Sequence, residues 1–479
     1  MIQSKTLHEA RQGTDLLECP NIRHELLARP SPYTASNNGG AGFVSDDDRV
    51  ALNCITFASA SSAGALCDQP TMAGRVGREE SLPISNVGSE GPLLPTRWAV
   101  RAGSRKSVFF DSKETTAAIV TCGGLCPGLN DVIQGLVLKL ADYGVPEGNI
   151  LGIRYGFRGF YEGHQPVVLT KKSVDDIQLQ GGTILGTSRG GADMRRIAES
   201  IGSRRIDMVF VVGGNGGNAG ANAIYRECFA INVICSVIAL PKSIDNDLLL
   251  VERCFGFDTA VEQSQHALMA AKVESSSAYQ GIGLVKLMGR QSGFVAMEAS
   301  MASGLVDICL IPEVPFVLRG DSGLLSYVQH LLDVQGHAVI CVAEGAGQDL
   351  LAEGEQDVDL SGNPILQDIG SWLRNQLVST FVDADLKYIA PSYMIRSTTT
   401  TATDRVYCKV LAHNAVHAAF AGFTGITVGL VNTHHVYLPI PVVIQSPRQV
   451  DPRGEMWHQL LDSNCQPEFG RSCSEQSAH

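Results

Sequence analysis

Three short runs of continuous, largely β-branched apolar residues limit the architectures open to this chain. They span residues 117–121, 208–212 and 233–240, with a fourth, less uniform strand following residues 148–152. Runs this short fall below the length of a core helix, and runs this apolar belong to strands buried on both faces. Each is followed by a loop of glycine, arginine or carboxylate residues and then, in two cases, by a helical pattern, at 130–143 and 219–228. Strand, loop and helix in that order predict a parallel sheet covered by helices, with its loops gathered at one edge. Open α/β sheets bind their ligands at that edge.

The loops carry the chemistry. Residues 122–128, Cys-Gly-Gly-Leu-Cys-Pro-Gly, bring backbone N–H groups and a helix N-terminus to one place, an arrangement suited to phosphate. No Gly-Lys-Ser/Thr follows, so this is not a Walker loop, and the dinucleotide fingerprint is absent too. Tyr155-Gly156-Phe157-Arg158-Gly159-Phe160 offers rings that can flank a base or simply anchor packing. Residues 181–191 set Arg189 among glycines and hydroxyls, a setting for a phosphate fork. The run 213–217 is Gly-Gly-Asn-Gly-Gly, and 241–247 is Pro-Lys-Ser-Ile-Asp-Asn-Asp. Two acids one residue apart can divide labour, one as a base and one as a holder of a metal or a cation. Asp-Asn-Asp is equally ordinary turn chemistry, and only the neighbouring loops raise it above that.

A second α/β unit follows. It has a helix over 258–274, strands at 281–286, 308–311 and 338–342, the segments Met288-Gly289-Arg290 and Ala343-Glu344-Gly345, and then Lys387, Tyr393 and Arg396 before a helix over 404–421. Residues 1–95 read as an irregular extension, with Asp46-Asp47-Asp48 as a solvated acidic turn, and residues 451–479 as a polar tail.

Composition narrows the partners. A net charge of −12 argues against nucleic acid, which needs a basic face. No apolar run reaches about 18 residues, so no membrane span is expected. The 13 cysteines follow no repeating spacing, which predicts reduced thiols and a cytoplasmic protein. Cys122 and Cys126 lack a second ligand pair for zinc, and the early acids Glu9, Asp15, Glu18 and Glu25 disfavour a transit peptide.

Taken together, these loops resemble the phosphofructokinase family, most closely its plant-type ATP-dependent branch, over roughly residues 100–460. The segments that carry the resemblance are 121–130, 155–160, 181–189, 241–247, 288–290 and 393–396, in the family's order. It implies two similar three-layer α/β (Rossmann-like) domains with the active site in the cleft between them. The nucleotide domain would be 96–256, completed by about 395–430, and the sugar-phosphate domain 257–394, completed by about 431–450. The implied activity is phosphorylation of fructose 6-phosphate at its 1-hydroxyl by ATP with Mg²⁺, in a homo-oligomer, a tetramer by family habit.

Residue by residue, the resemblance makes Asp245 the general base. It places Gly123, Tyr155, Arg189, Gly190, Gly214, Asn215, Gly216 and Gly217 at ATP, with Asn215 also at the metal. Ser243, Ile244, Asp247, Met288, Gly289, Arg290, Glu344, Lys387, Tyr393, Met394, Ile395 and Arg396 would hold the sugar phosphate. Gly216 matches ATP users, because an aspartate there would repel the nucleotide, while Lys242 occurs in both pyrophosphate users and plant-type ATP users. The chain departs from the family where Asn215 and Gly217 replace the usual metal aspartate and hydroxyl residue. Lesser departures are Ala239 in place of a glycine and Gly281 where bacterial relatives carry an arginine for the neighbouring subunit. The departure at Asn215 and Gly217 motivates a second reading, a regulatory or sugar-phosphate-binding relative with little turnover; a pyrophosphate-dependent enzyme is a third.

Overall fold

The computed structural model describes residues 16–33, 42–52, 97–351 and 365–470. The strands are β1 (Arg29–Pro30), β2 (Arg49–Ala51), β3 (Trp98–Arg101), β4 (Ser107–Val108), β5 (Ala117–Thr121), β6 (Ile150–Ile153), β7 (Val167–Val168), β8 (Met208–Gly213), β9 (Ser236–Pro241), β10 (Gly281–Leu287), β11 (Ile308–Leu310), β12 (His337–Ala343), β13 (Leu386–Ile389), β14 (Ile426–Val431) and β15 (His434–Pro439). Among the described residues they form a sheet in the order β2-β3-β15-β14-β9-β8-β5-β6-β7, a second in the order β11-β12-β10-β13, and the pair β1-β4.

The apolar runs became the central strands for the reason their sequence gives. Every residue of β5, β8 and β9 is buried, so a polar face has nowhere to sit. Parallel register does the rest: Thr121 lies opposite Val212, and Val212 opposite Leu240. The loops after β5, β8 and β9 therefore leave the sheet side by side. In the second sheet Leu287 lies opposite Ala343, which sets Met288-Gly289-Arg290 beside Glu344.

Helices cover both sheets. The helix Leu129–Tyr143 lays Val132, Ile133, Leu136 and Leu140 against Leu411, Ala412, Ala415 and Val416 of the helix Ala402–Phe420. Gly135 permits this close crossing, since a Cβ there would stand 2.8 Å from the Ala412 Cβ.

Three expectations need correction. Residues 431–450 do not complete the second domain as a unit, because β14 and β15 make an antiparallel hairpin inside the first sheet. Val431 pairs with His434 across Asn432 and Thr433, whose φ values of 47° and 65° give the primed turn that matches strand twist and turns the chain straight back. The described part of the 1–95 extension is docked, not loose. β2 pairs with β3, Leu16 bridges to Trp98, and Asp46 of the acidic turn is bonded by Arg23 and by Arg105 Nε, the latter at 2.8 Å. The tail contains the helix Glu455–Asn464, which buries Trp457 and Leu460, three residues apart on one face, against Val295 and Ala299 of the helix Phe294–Ser303. The rest of the expected irregular extension, residues 1–15, 34–41 and 53–96, and the end of the expected polar tail, residues 471–479, lie outside the described residues. All ten described cysteines are free.

Candidate active site

The glycine run 213–217 is not a loop but the end of β8 and the first turn of the helix Asn215–Ala230, four residues earlier than its apolar pattern suggested. Asn218 fixes this start: its Nδ2 donates to the Gly213 and Gly214 carbonyls at 3.1 and 3.0 Å. Asn215 is thereby presented at a helix N-terminus. Its Nδ2 donates to Asp247 Oδ2 at 3.0 Å, and the Ser243 hydroxyl donates to Asp247 Oδ1. Both oxygens of Asp247 are thus engaged by neutral donors.

Asp245 is in the opposite condition. Its Oδ1 is buried without a partner, while among the described residues Oδ2 receives only a long 3.4 Å bond from the Arg290 N–H. Burial pushes its pKa up to about 7, with the negative charges of Asp247 and Glu344 adding to the rise and the Arg290 N–H and Arg396 opposing it. A carboxyl group with a free oxygen and a pKa near neutrality is equipped to take a proton. The two acids thus differ in their partners, a difference that sequence spacing alone left open.

Asn246 between them, absent from the sequence-derived site, fixes the loop. It sits at φ 56°, a conformation that asparagine tolerates, and its side chain accepts from Cys254 N at 2.9 Å and donates to Glu252 O at 3.0 Å.

The cavity at the mouth of the two sheets is lined by Gly124, Leu125, Cys126, Arg189, Gly214, Asn215, Gly216, Lys242, Ser243, Ile244, Asp245, Asp247, Arg290, Gln291, Glu344, Leu366 and Arg396. Arg189, Lys242, Arg290 and Arg396 make it a locally cationic pocket in an acidic chain. Leu125, Cys126, Gln291 and Leu366 were not among the sequence candidates. Lys242, which the family resemblance brings in only for the choice of donor, lines the cavity as well, and a cation two residues before Ile244 is a legible signal.

Other candidates lie off the lining. Gly123 is adjacent to it, held by Gly123 N to Ser188 O at 3.0 Å and by Thr187 Oγ1 donating to Gly123 O at 2.7 Å. Tyr155, at φ 58°, faces His164 with 44% exposure, while the partly exposed Gly190 and the buried Gly217 and Gly289 are not among the lining residues. Met288 and Ile395 belong to the core of the second domain. Lys387 pairs with Asp385 at 2.9 Å, and Tyr393 and Met394 are 81% and 79% exposed. Within one chain, then, Lys387, Tyr393 and Met394 do not reach the cavity that Arg290, Glu344 and Arg396 share.

Among the described residues no group of three or more His, Cys, Asp and Glu side chains could hold a metal ion. Asn215 Oδ1, however, is buried without a hydrogen-bond partner beside the cavity. One protein oxygen suits an ion carried chiefly by ligand phosphates and water, which is how Mg²⁺ is bound in nucleotide sites.

A buried carboxyl with a free oxygen, beside arginines where two parallel-rich sheets meet, suits a two-domain α/β phosphotransferase. The chain belongs to the phosphofructokinase family, whose family model, Phosphofructokinase, matches residues 116–419. It is 48% identical over 433 residues to "ATP-dependent 6-phosphofructokinase 5, chloroplastic" of Arabidopsis thaliana, covering 89% of this chain and 76% of that protein. It is 45% identical over 383 residues to the ATP-dependent 6-phosphofructokinase of Amycolatopsis methanolica, covering 77% and 83%. The crystal structure of a pyrophosphate-dependent phosphofructokinase from Marinobacter aquaeolei superposes with a TM-score of 0.62 at 18% identity, over 75% of this chain and 92% of that one. That last likeness shows the fold alone.

Proposed function

We propose that this chain transfers the terminal phosphoryl group of ATP to the 1-hydroxyl of fructose 6-phosphate, giving fructose 1,6-bisphosphate. The observation that carries the reading is Asp245, a buried carboxyl with one unpartnered oxygen opposite Arg290 and Arg396 in a cationic cleft. Membership of the family and relatives named as ATP-dependent 6-phosphofructokinases support it. Asp245 takes the hydroxyl proton as the sugar oxygen bonds to phosphorus and the bond to ADP breaks. Arg189 and Lys242 stabilise the charge on the migrating group, while Arg290, Arg396 and Glu344 hold the sugar phosphate and its hydroxyls. When bound with the nucleotide, Mg²⁺ supplies further neutralisation of phosphate charge, and Asn215 Oδ1 is the protein atom that would hold it.

The exposure of Tyr393 and Met394 supports assembly into a homo-oligomer, a tetramer in our reading, in which those side chains and Lys387 meet a neighbouring chain. No helix among the described residues is long and apolar enough to cross a membrane. We assign the cytoplasm on the free thiols; a tagged full-length chain found in plastids, where one relative's name places that relative, overturns the assignment.

The test is product formation from fructose 6-phosphate with ATP and Mg²⁺, beside pyrophosphate as donor. Turnover with ATP supports the reading, turnover with pyrophosphate alone overturns the choice of donor, and silence with both overturns the activity. The pH profile adds a constraint. Because the base must be ionised, kcat/KM is expected to fall about tenfold per pH unit below about 7. A plateau reaching down to pH 5 would mean that Asp245 is an ordinary carboxylate or is not the base.

Gly216 tests the choice of donor. A Cβ there meets nothing within 4 Å, so Gly216→Asp is expected to fold normally while placing a carboxylate beside the nucleotide phosphates. Nucleotide affinity should drop by roughly tenfold or more, read by titration with ATP. Unchanged affinity would remove the nucleotide from this turn.

A further inference from the structure

We propose that residues 447–450 form a strap that fixes the Asp245 loop against the Arg290 loop, with Arg448 as its positioning residue. The inference rests on the reading of Asp245 as the base, and it concerns residues that do not line the cavity. Three consecutive residues each bond to one of the two loops. Pro447 bridges to Leu248, and Arg448 N donates to Asp247 O at 2.8 Å. The Arg448 guanidinium reaches behind the same loop, where Nη1 donates to Glu252 O at 3.0 Å and to Asn246 O at 3.4 Å. Gln449 Nε2 then donates to Gln291 O at 3.0 Å. Val450 N shares Glu313 Oε1 with Gly293 N, at 2.8 and 2.9 Å.

The guanidinium also spans the domain seam. Its Cζ lies 4.4 Å from the centroid of Phe294, the first residue of the helix Phe294–Ser303. Two residues earlier, the Ser292 hydroxyl donates to the Asp245 carbonyl at 2.9 Å. Arg448 therefore grips the back of the catalytic loop with its donors and the start of the sugar-side helix with its face, a combination that a planar fork permits and an ammonium only half reproduces. The strap is itself a crossing between domains, since the helix Ile440–Val443 ahead of it belongs with the first sheet and the helix Glu455–Asn464 after it packs on the second domain. Loosening it shifts the base relative to the sugar without removing any group that touches either substrate.

The test uses full-length Arg448→Ala, Arg448→Lys and Gln449→Ala with ATP, fructose 6-phosphate and Mg²⁺. Wild-type turnover is measured first, so that failure of the activity itself shows in the wild type and failure of the strap shows only in the variants. Arg448→Ala is expected to lower kcat about 30- to 100-fold, with KM for fructose 6-phosphate within about threefold, because a displacement near 1 Å costs rate more than binding. Arg448→Lys should recover about fivefold or more of that loss by restoring a cation over the ring and one donor. Gln449→Ala, which loses only its tether to Gln291, should lower kcat about three- to tenfold at an unchanged melting temperature. A loss confined to KM, or no recovery in Arg448→Lys, overturns the proposal. So does a kcat within about twofold of wild type in the variants. If Arg448→Ala does not fold, Arg448→Lys and Gln449→Ala decide it by their own kcat and KM.

Discussion

Asp245→Asn is expected to lose about 10²- to 10⁴-fold in kcat while melting no lower than the wild type at pH 8. The amide fits the same space and keeps an acceptor for the Arg290 N–H, but it cannot take the sugar's proton. The stability half of the prediction follows from the raised pKa. Below the ordinary value of 3.8, Asp245 is protonated in both folded and unfolded chains. Between there and about 7 only the unfolded chain releases the proton, so the folded state loses stability as pH rises through that window. Above 7 the penalty is complete, on the order of a few kcal/mol, and asparagine does not incur it. Thermal melts at pH 5 and pH 8 beside kcat measurements check both halves. A variant that is inactive and also markedly less stable at pH 8 would make Asp245 a structural residue, not a base.

The largest loss of stability is expected at Asp404. This fully buried carboxylate sits in the first turn of the helix Ala402–Phe420 and caps a different helix, Phe257–Ser277, which has no side-chain cap of its own. It accepts from Gly256 N at 3.0 Å, Thr259 N at 2.8 Å and Thr259 Oγ1 at 2.6 Å. Thr401 N returns a bond to Thr259 Oγ1 at 3.1 Å. Asp404→Ala leaves these donors buried at a helix N-terminus, which should cost about 3–5 kcal/mol in denaturant unfolding. Asp404→Asn keeps an acceptor and should cost less than half as much. A loss under about 1 kcal/mol for the alanine variant would show that water replaces the carboxylate freely.

Asn215 shows how the structure changes the meaning of a substitution. Read against the family pattern, it is a missing metal carboxylate. In the fold, its amide N–H donates to Asp247 while its oxygen stays free at the cavity. It thus holds the second acid of the loop in place without a bound cation, a role an aspartate could fill only with a metal or proton between the two carboxylates.

The sequence by itself determined the central strands, the loops at their ends and the acid at 245. Buried parallel strands are written as short continuous apolar runs, and parallel pairing sends the ensuing loops to one edge whatever lies between them. The helix Glu455–Asn464 stayed illegible because two buried residues in a polar stretch make a weak period. Only the tertiary structure decided which acid is free. Asp245 and Asp247 have the same composition, and what separates them is that Asn215 and Ser243 occupy one while burial leaves the other's oxygen empty. It alone also decided that Asp404 caps a helix 145 residues away and that Arg448 lies behind the Asp245 loop. Local patterns reach only a turn or two along the chain, whereas these contacts depend on where packing brings distant segments together.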